Sequence, residues 1–242
     1  MKLSVIVITL NEEKNIEECL RSVHWADEII VIDSESTDKT VELAKKFTQN
    51  IFQLKESYGI KRNFGIEKAN GEWILWVDAD EKISDELRIE IQQTIIQNKF
   101  DAYFISRKSF FINKFIKHCG WYPDYSLRLF KKSTGLKFNE SLVHESVKTK
   151  LPAGNLKNDI IHYTDLDFEH YLNKLNHYTT QSAEELKNKK KKASLFDILF
   201  RPVFTFCKMY FFKLGILDGY TGLVLCILSS FHVMIKYSKL YF

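Results

Sequence analysis

The chain has 242 residues, enough to bury a full core, and its 45% hydrophobic and 27% charged content is that of a globular protein. Three prolines and nine glycines leave little room for a disordered linker, and four scattered cysteines without a CxxC pair indicate neither a zinc site nor a disulfide framework. The net charge of +4 hides an asymmetry: from Lys187 onward ten bases face two acids, whereas residues 1–186 carry more acids than bases.

Residues 3–10 (LSVIVITL) form an apolar run that meets Asn11-Glu12-Glu13 instead of a small-residue cleavage site, so the run reads as a strand and not a signal peptide. The runs 28–33, 51–54 and 73–77 are similarly rich in Val and Ile, as expected of strands buried on both faces of a parallel sheet. Helical segments are predicted between them at 13–24, 37–48 and 60–70. Another follows near 85–98, with Ser84 as its N-cap and Asp85 and Glu86 in its first turn. This alternation predicts an α/β fold, a doubly wound and mainly parallel sheet with helices on both faces. Ligands of such sheets gather at the carboxyl ends of the strands, which selects Thr9–Glu12, Asp33–Ser36 and Asp78–Glu81 along one rim.

From about residue 100 the pattern is less regular, with strand-like pieces at 102–106 and 126–130 and a polar stretch at 143–147. Residues 167–192 read as helix ending in the run Lys189–Lys192. Three segments are expected: an alternating half at 1–100 whose rim would hold a nucleotide-type ligand, a half at 101–165 that would extend the sheet and hold the acceptor, and a helical, basic and amphipathic extension at 166–242. In that extension Asp197, Arg201, Thr205 and Lys208 form a narrow polar stripe on an otherwise apolar helix containing Pro202. Residues 219–235 are uncharged, at the lower length limit for a bilayer span. The tail admits interfacial helices, a soluble core or dimer pair, or a true span. The lysine cluster favours helices lying in a membrane surface.

Asp78-Ala79-Asp80 directly follows an apolar strand, where its carboxylates can bridge a divalent cation, Mg²⁺ or Mn²⁺, to a diphosphate. Alone, such a triplet is better explained as a solvated acidic loop. It has company, however. The first strand ends in Thr9-Leu10-Asn11-Glu12-Glu13, the second in Asp33-Ser34-Glu35-Ser36-Thr37-Asp38, and a helix carries Gly59-Ile60-Lys61-Arg62-Asn63-Phe64-Gly65. In this order the four motifs resemble the family-2 glycosyltransferases of the GT-A fold. The resemblance implies that Thr9, Asn11 and Glu12 hold the nucleoside and that Asp33 accepts from the base N–H. It further implies that Lys61 and Arg62 meet the base or diphosphate, that Asp78 faces the ribose, and that Asp80 binds the metal with help from Asp78. One departure is that many members have two adjacent Asp where this chain has Asp33-Ser34. For Glu12 and Asp38, helix capping is the competing reading.

The later motifs, Gly120-Trp121-Tyr122-Pro123-Asp124, Leu127-Arg128-Leu129-Phe130, Val143-His144-Glu145 and Ile161-His162-Tyr163, look like the branch that glucosylates the heptose of the lipopolysaccharide inner core. Arg201-Pro202 and the G-x-x-D-G-x-x-G of Gly215–Gly222 extend the similarity through the tail. What this implies is an inverting transfer of a hexose, glucose first, from a UDP-sugar to a lipid-linked oligosaccharide at the inner face of a bacterial inner membrane, with no nucleic acid involved. Glu145 is the first candidate for the base that takes the acceptor proton and Asp124 the second; Asp124 could instead pair with Arg128, and Glu145 could orient His144. Trp121, Tyr122, Arg128 and His144 are the acceptor-side candidates, the two aromatics being equally plausible in the core. His162 either completes the metal shell or is a satisfied structural histidine. Transfer to a polyprenyl phosphate or another surface polysaccharide is the nearest alternative. A nucleotidyltransferase is a further one, although residues 9–15 lack its glycine-rich loop, and a non-catalytic nucleotide-sugar sensor is another.

Overall fold

The structure is a computed structural model that describes residues 2–139, 151–165 and 168–242. The expected alternation is present: β1 (Leu3–Thr9), α1 (Ile16–Ser22), β2 (Glu28–Asp33), α2 (Thr40–Ala44), β3 (Ile51–Gln53), α3 (Tyr58–Lys68) and β4 (Trp73–Asp78). A short β5 (Glu81–Ile83), α4 (Asp85–Gln97), β6 (Ala102–Phe111), β7 (Lys114–Phe115), β8 (Asp124–Lys131), β9 (Gly154–Asn155) and β10 (Ile160–Asp165) come next. Three long helices end the chain, α5 (Phe168–Asn188), α6 (Leu195–Cys207) and α7 (Gly219–Tyr241).

The strands form one sheet in the order β3-β2-β1-β4-β8-β6-β10-β5. β3, β2, β1 and β4 run parallel, and β8 and then β5 against β10 are added antiparallel. Alternation along each parallel strand feeds two cores, because successive side chains point to opposite faces. Val5, Val7, Ile29, Val31, Leu75 and Val77 meet Leu20 of α1 and Leu87 and Ile91 of α4. Ile6, Ile8, Ile30, Ile32, Ile74 and Trp76 meet Ile66 of α3. Helices on both faces therefore follow from apolar runs without polar alternation.

Ser84 caps α4 as expected, accepting from Leu87 N, and a left-handed Asn98 ends that helix. α1 and α2 are shorter than their sequence patterns because the preceding residues serve loop contacts: Asp38 accepts from Thr40 N, and Glu13 and Asp38 each take the other loop's backbone N–H. Helix α3 lies close on β1 at Gly65, where a Cβ would stand 2.5 Å from Ile6 Cγ2. Ile6 is buried and β-branched and has nowhere to turn. Gly65→Ala is therefore expected to destabilise the protein by about 1–3 kcal/mol through overpacking. A urea midpoint equal to that of the parent would contradict this close approach.

The chain divides into two compact units at points other than the three expected segments. One comprises Met1–Arg107 and Tyr125–His162, the other Lys108–Asp124 and Tyr163–Phe242. The excursion 108–124 folds with the C-terminal helices because Asp218, at the start of α7, accepts from the backbone N–H of Lys117 and His118 and from the His118 ring. A Cβ at Gly222 would lie 2.2 Å from Gly215 O, so the G-x-x-D-G-x-x-G motif is the close-packed entry to α7. Pro202 does not start α6, which runs through it and continues into a π-helical turn, Lys208–Phe212.

Candidate active site

Strand register places the three rim clusters side by side. Thr9 is paired with Asp33 across β1–β2, and Ile8 with Asp78 across β1–β4, so the ends of these strands form one edge. The loops after β1 and β2 are stitched together: Asn11 N donates to Ser36 Oγ, Thr37 N to Asn11 Oδ1, and Glu12 N to Thr40 Oγ1, each at 2.8 Å. Asn11 adopts a left-handed conformation to do so. Among the described residues, buried Thr9 Oγ1 has no hydrogen-bond partner, a polar group that a ligand could satisfy. Glu12 Oε2 accepts from the side-chain amide of Asn15, the N-cap residue of α1, and not from a backbone N–H of the helix, so this contact is not a helix cap.

Asp33 is fully buried, and its carboxylate closes its own turn by accepting from Ser36 N and Ser36 Oγ. These bonds within the D-x-x-S turn are typical of Asp at turn positions and fix the carboxylate at the end of β2.

Beneath Asp78 lies a charge network that was only half visible in the sequence. Arg62 Nη2 donates to Asp78 Oδ1 at 2.8 Å, and Arg128 Nη1 is 3.8 Å from Asp78 Oδ2. Arg128 also grips Glu81 with both terminal nitrogens, at 2.7 Å each, while Glu81 Oε2 accepts from Asp78 N and Arg107 stands 3.8 Å from Oε1. Both guanidinium groups lie over the Trp76 ring, with Cζ at 4.0 Å for Arg62 and 3.6 Å for Arg128. Burial opposes ionisation of Asp78, but the charge of Arg62, then those of Arg128 and Arg107, with the Arg62 hydrogen bond, outweigh it and hold its pKa at about 2. Asp78 is therefore a carboxylate at neutral pH.

This network changes the roles expected of three cations. Lys61 and Arg62 are only 5% and 4% exposed; Lys61 Nζ donates to Ser34 Oγ, and Arg62 supports Asp78 from below. Arg128, expected on the acceptor side or paired with Asp124, is 2% exposed, with Glu81 at 2.7 Å and Asp78 at 3.8 Å. Fixing the turn that carries Asp78 and Asp80 is what this geometry does. Arg107 and Trp76 were missed as site residues, and Glu81, though on the selected rim, was given no role. Glu81 could have been found as a third acid next to the triplet, and Trp76 as the residue sharing a strand face with Asp78. Arg107 has no local signal.

Asp80 Oδ2 lies 3.1 Å from His162 Nε2, a contact bridging 82 positions of sequence, and both side chains are largely buried. His162 reaches it because β10 pairs with β5, His162 opposite Glu81. Among the described residues no three potential ligands cluster. A carboxylate and an imidazole side by side nevertheless suit a divalent cation whose remaining positions are taken by diphosphate and water oxygens. Asp78, the second carboxylate expected at the metal, meets Arg62 and Arg128 beside this pair.

On the acceptor side, Trp121 packs edge-on against Phe111 at 5.9 Å in the core of the helical unit. Tyr122 and Asp124 are half-buried, Asp124 opening β8. His144 and Glu145 lie outside the described residues.

Comparison with known proteins fits this geometry. Residues 4–148 match the model of glycosyl transferase family 2. A glycosyltransferase of Rickettsia prowazekii is 31% identical over 99% of this chain and 86% of its own length. The lipopolysaccharide core biosynthesis glycosyltransferase LpsC of Rhizobium meliloti is 23% identical over 100% of this chain and 92% of its own. Among solved structures, S. aureus TarS 1-349 in complex with UDP superposes with a TM-score of 0.50 at 18% identity, covering 98% of this chain and 91% of that one, which establishes a common GT-A-like fold. With the match to the family model covering more than half of the chain, this protein is a glycosyltransferase belonging to glycosyl transferase family 2.

Proposed function

We propose that the chain is an inverting hexosyltransferase that moves a hexose, glucose first, from a UDP-sugar to a membrane-held glycolipid of the lipopolysaccharide inner-core kind, working at the cytoplasmic face of the inner membrane. The observation carrying this reading is the single rim on which Thr9, Asp33 and Asp78 end adjacent parallel strands, with Asp80 and His162 paired beside them. Support for the acceptor class comes from the name of the Rhizobium meliloti relative, and for the nucleotide from the UDP bound in the TarS structure.

In this reading Thr9 Oγ1 and the stitched Asn11–Thr37 loops hold the nucleoside, and the ionised Asp78, fixed by Arg62, accepts from the ribose hydroxyls. Asp80 and His162 would hold a divalent cation, Mg²⁺ or Mn²⁺, which as a Lewis acid stabilises charge on the departing diphosphate. The acceptor hydroxyl oxygen forms a bond to the anomeric carbon as the bond from that carbon to the UDP oxygen breaks on the opposite face. The hydroxyl proton passes to a carboxylate, Glu145 first and Asp124 second. Trp121 and Tyr122 contribute to acceptor binding, as does His144.

Calorimetry with UDP and a panel of nucleotide sugars in Mn²⁺ tests the donor site. Mass spectrometry of core oligosaccharide from a deletion strain tests the acceptor. Binding of UDP-hexoses above other nucleotide sugars, and core glycan lacking one hexose, are the expected results. Failure to bind any nucleotide, or an unaltered core, would overturn the proposal.

A further inference from the structure

The helical unit carries a surface that the transfer chemistry does not use. α6 exposes Leu195, Phe196, Leu199, Phe200, Val203 and Phe204, spaced i, i+1, i+4, i+5, i+8 and i+9, so they line one continuous side of the helix. The polar residues are elsewhere: Asp197 pairs with Arg201, whose guanidinium lies 4.9 Å from the centre of the Tyr237 ring in α7. The apolar surface continues past the helix to Phe212 and Tyr220, each 81% exposed. A group of large apolar side chains at the surface marks an interaction site. Lys189–Lys192, all exposed, lead directly into α6, and exposed Lys208 and Lys213 follow its end.

Residues Gly215–Tyr241 are long and apolar enough to cross a bilayer by length and composition. Their contacts speak against that use. At one end Asp218 holds the 117–118 backbone, and at the other Lys239 Nζ lies 2.9 Å or less from Asn176 O, Asn176 Oδ1, Thr179 Oγ1 and Thr180 Oγ1 of α5. Between them Leu225 and Cys226 are fully buried against Phe111 and Ile116. The buried residues of α7, Thr221, Gly222, Leu225 and Cys226, lie in its first two turns, and the anchor at Lys239 ties its far end to α5, so a span would have to part α7 from α5. α6 itself, with 13 residues at about 1.5 Å each, falls short of a hydrocarbon core of about 30 Å.

We propose that α6 and the turn after it dock in the plane of an anionic phospholipid bilayer, phenylalanines and leucines in the acyl boundary and lysines at the lipid phosphates, while α7 stays packed along α5 and α6. Charge selects this occupant. A second copy seated on the same face would bring two strongly basic tails together, whereas an anionic surface neutralises them. The proposal stands apart from the transfer reading, since vesicle binding and UDP binding are separate measurements.

The full chain is tested by flotation with vesicles of phosphatidylcholine, with and without phosphatidylglycerol. Binding is expected to be at least about tenfold stronger with phosphatidylglycerol and to weaken as salt is raised. Phe200→Asp with Phe204→Asp should abolish flotation while circular dichroism and UDP binding stay as in the parent, because both side chains are already exposed. Lys190→Glu with Lys191→Glu should remove the preference for the anionic lipid. Three results would overturn the proposal: no flotation of the parent, unchanged flotation of the phenylalanine variant, or cell membranes that retain the protein in alkaline carbonate as a spanning helix would be retained. A dimer that the phenylalanine variant dissociates, without vesicle binding by the parent, would assign the face to a second copy instead.

Discussion

Glu81→Gln is expected to cost the protein about 3–5 kcal/mol, the penalty for removing one partner of a buried ion pair. Glu81 is fully buried and receives both terminal nitrogens of Arg128. The neutral amide would leave a guanidinium in the protein interior with Asp78, at 3.8 Å, as its nearest carboxylate. Arg128 would then compete with Arg62 for Asp78, so weakened UDP binding should accompany the loss of stability. By contrast, an exposed pair such as Arg21–Glu17 contributes at most about 1 kcal/mol. Urea unfolding measures the difference. The double variant Glu81→Gln, Arg128→Met should recover much of the lost stability, because the uncompensated charge is gone. A single variant within about 1 kcal/mol of the parent would show that the Glu81–Arg128 pair does not anchor the turn.

Asp80→Ala is expected to reduce transfer by about 10²–10⁴-fold, the equivalent of several kcal/mol of charge stabilisation at the leaving diphosphate. Its unfolding midpoint should move less than that of the Glu81 variant, since the Asp80 side chain keeps 16% of its surface exposed beside His162 whereas Glu81 is fully buried. A second readout is independent of turnover: Mn²⁺ binding in the presence of UDP, followed by electron paramagnetic resonance, should weaken in both Asp80→Ala and His162→Ala. Unchanged Mn²⁺ binding in both variants would remove the metal from this pair and leave the Asp80–His162 contact a structural one.

Some of this was legible along the chain and some was not, and the division has a physical cause. The uninterrupted Val and Ile runs of β1, β2 and β4 announce strands covered on both faces, and the polar residues that end them announce where ligands gather. Ser84 before α4 and the stripe Asp197–Arg201–Thr205 within α6 are likewise local patterns, each set by neighbours three or four positions away. Boundaries erred where a side chain chose a distant partner over its own helix, as with Glu13 and Asp38 before α1 and α2.

The sequence by itself determined the α/β class, the order of the parallel strands' motifs and the amphipathic α6, because periodicity and capping act over a single turn or strand. Only the tertiary structure decided that Arg128 belongs to Glu81 across 47 positions, that His162 meets Asp80 across 82, and that residues 108–124 fold onto Asp218 about a hundred positions later. Those choices depend on strand register and on which burial leaves no charge uncompensated, and neither is written in the spacing of residues along the chain.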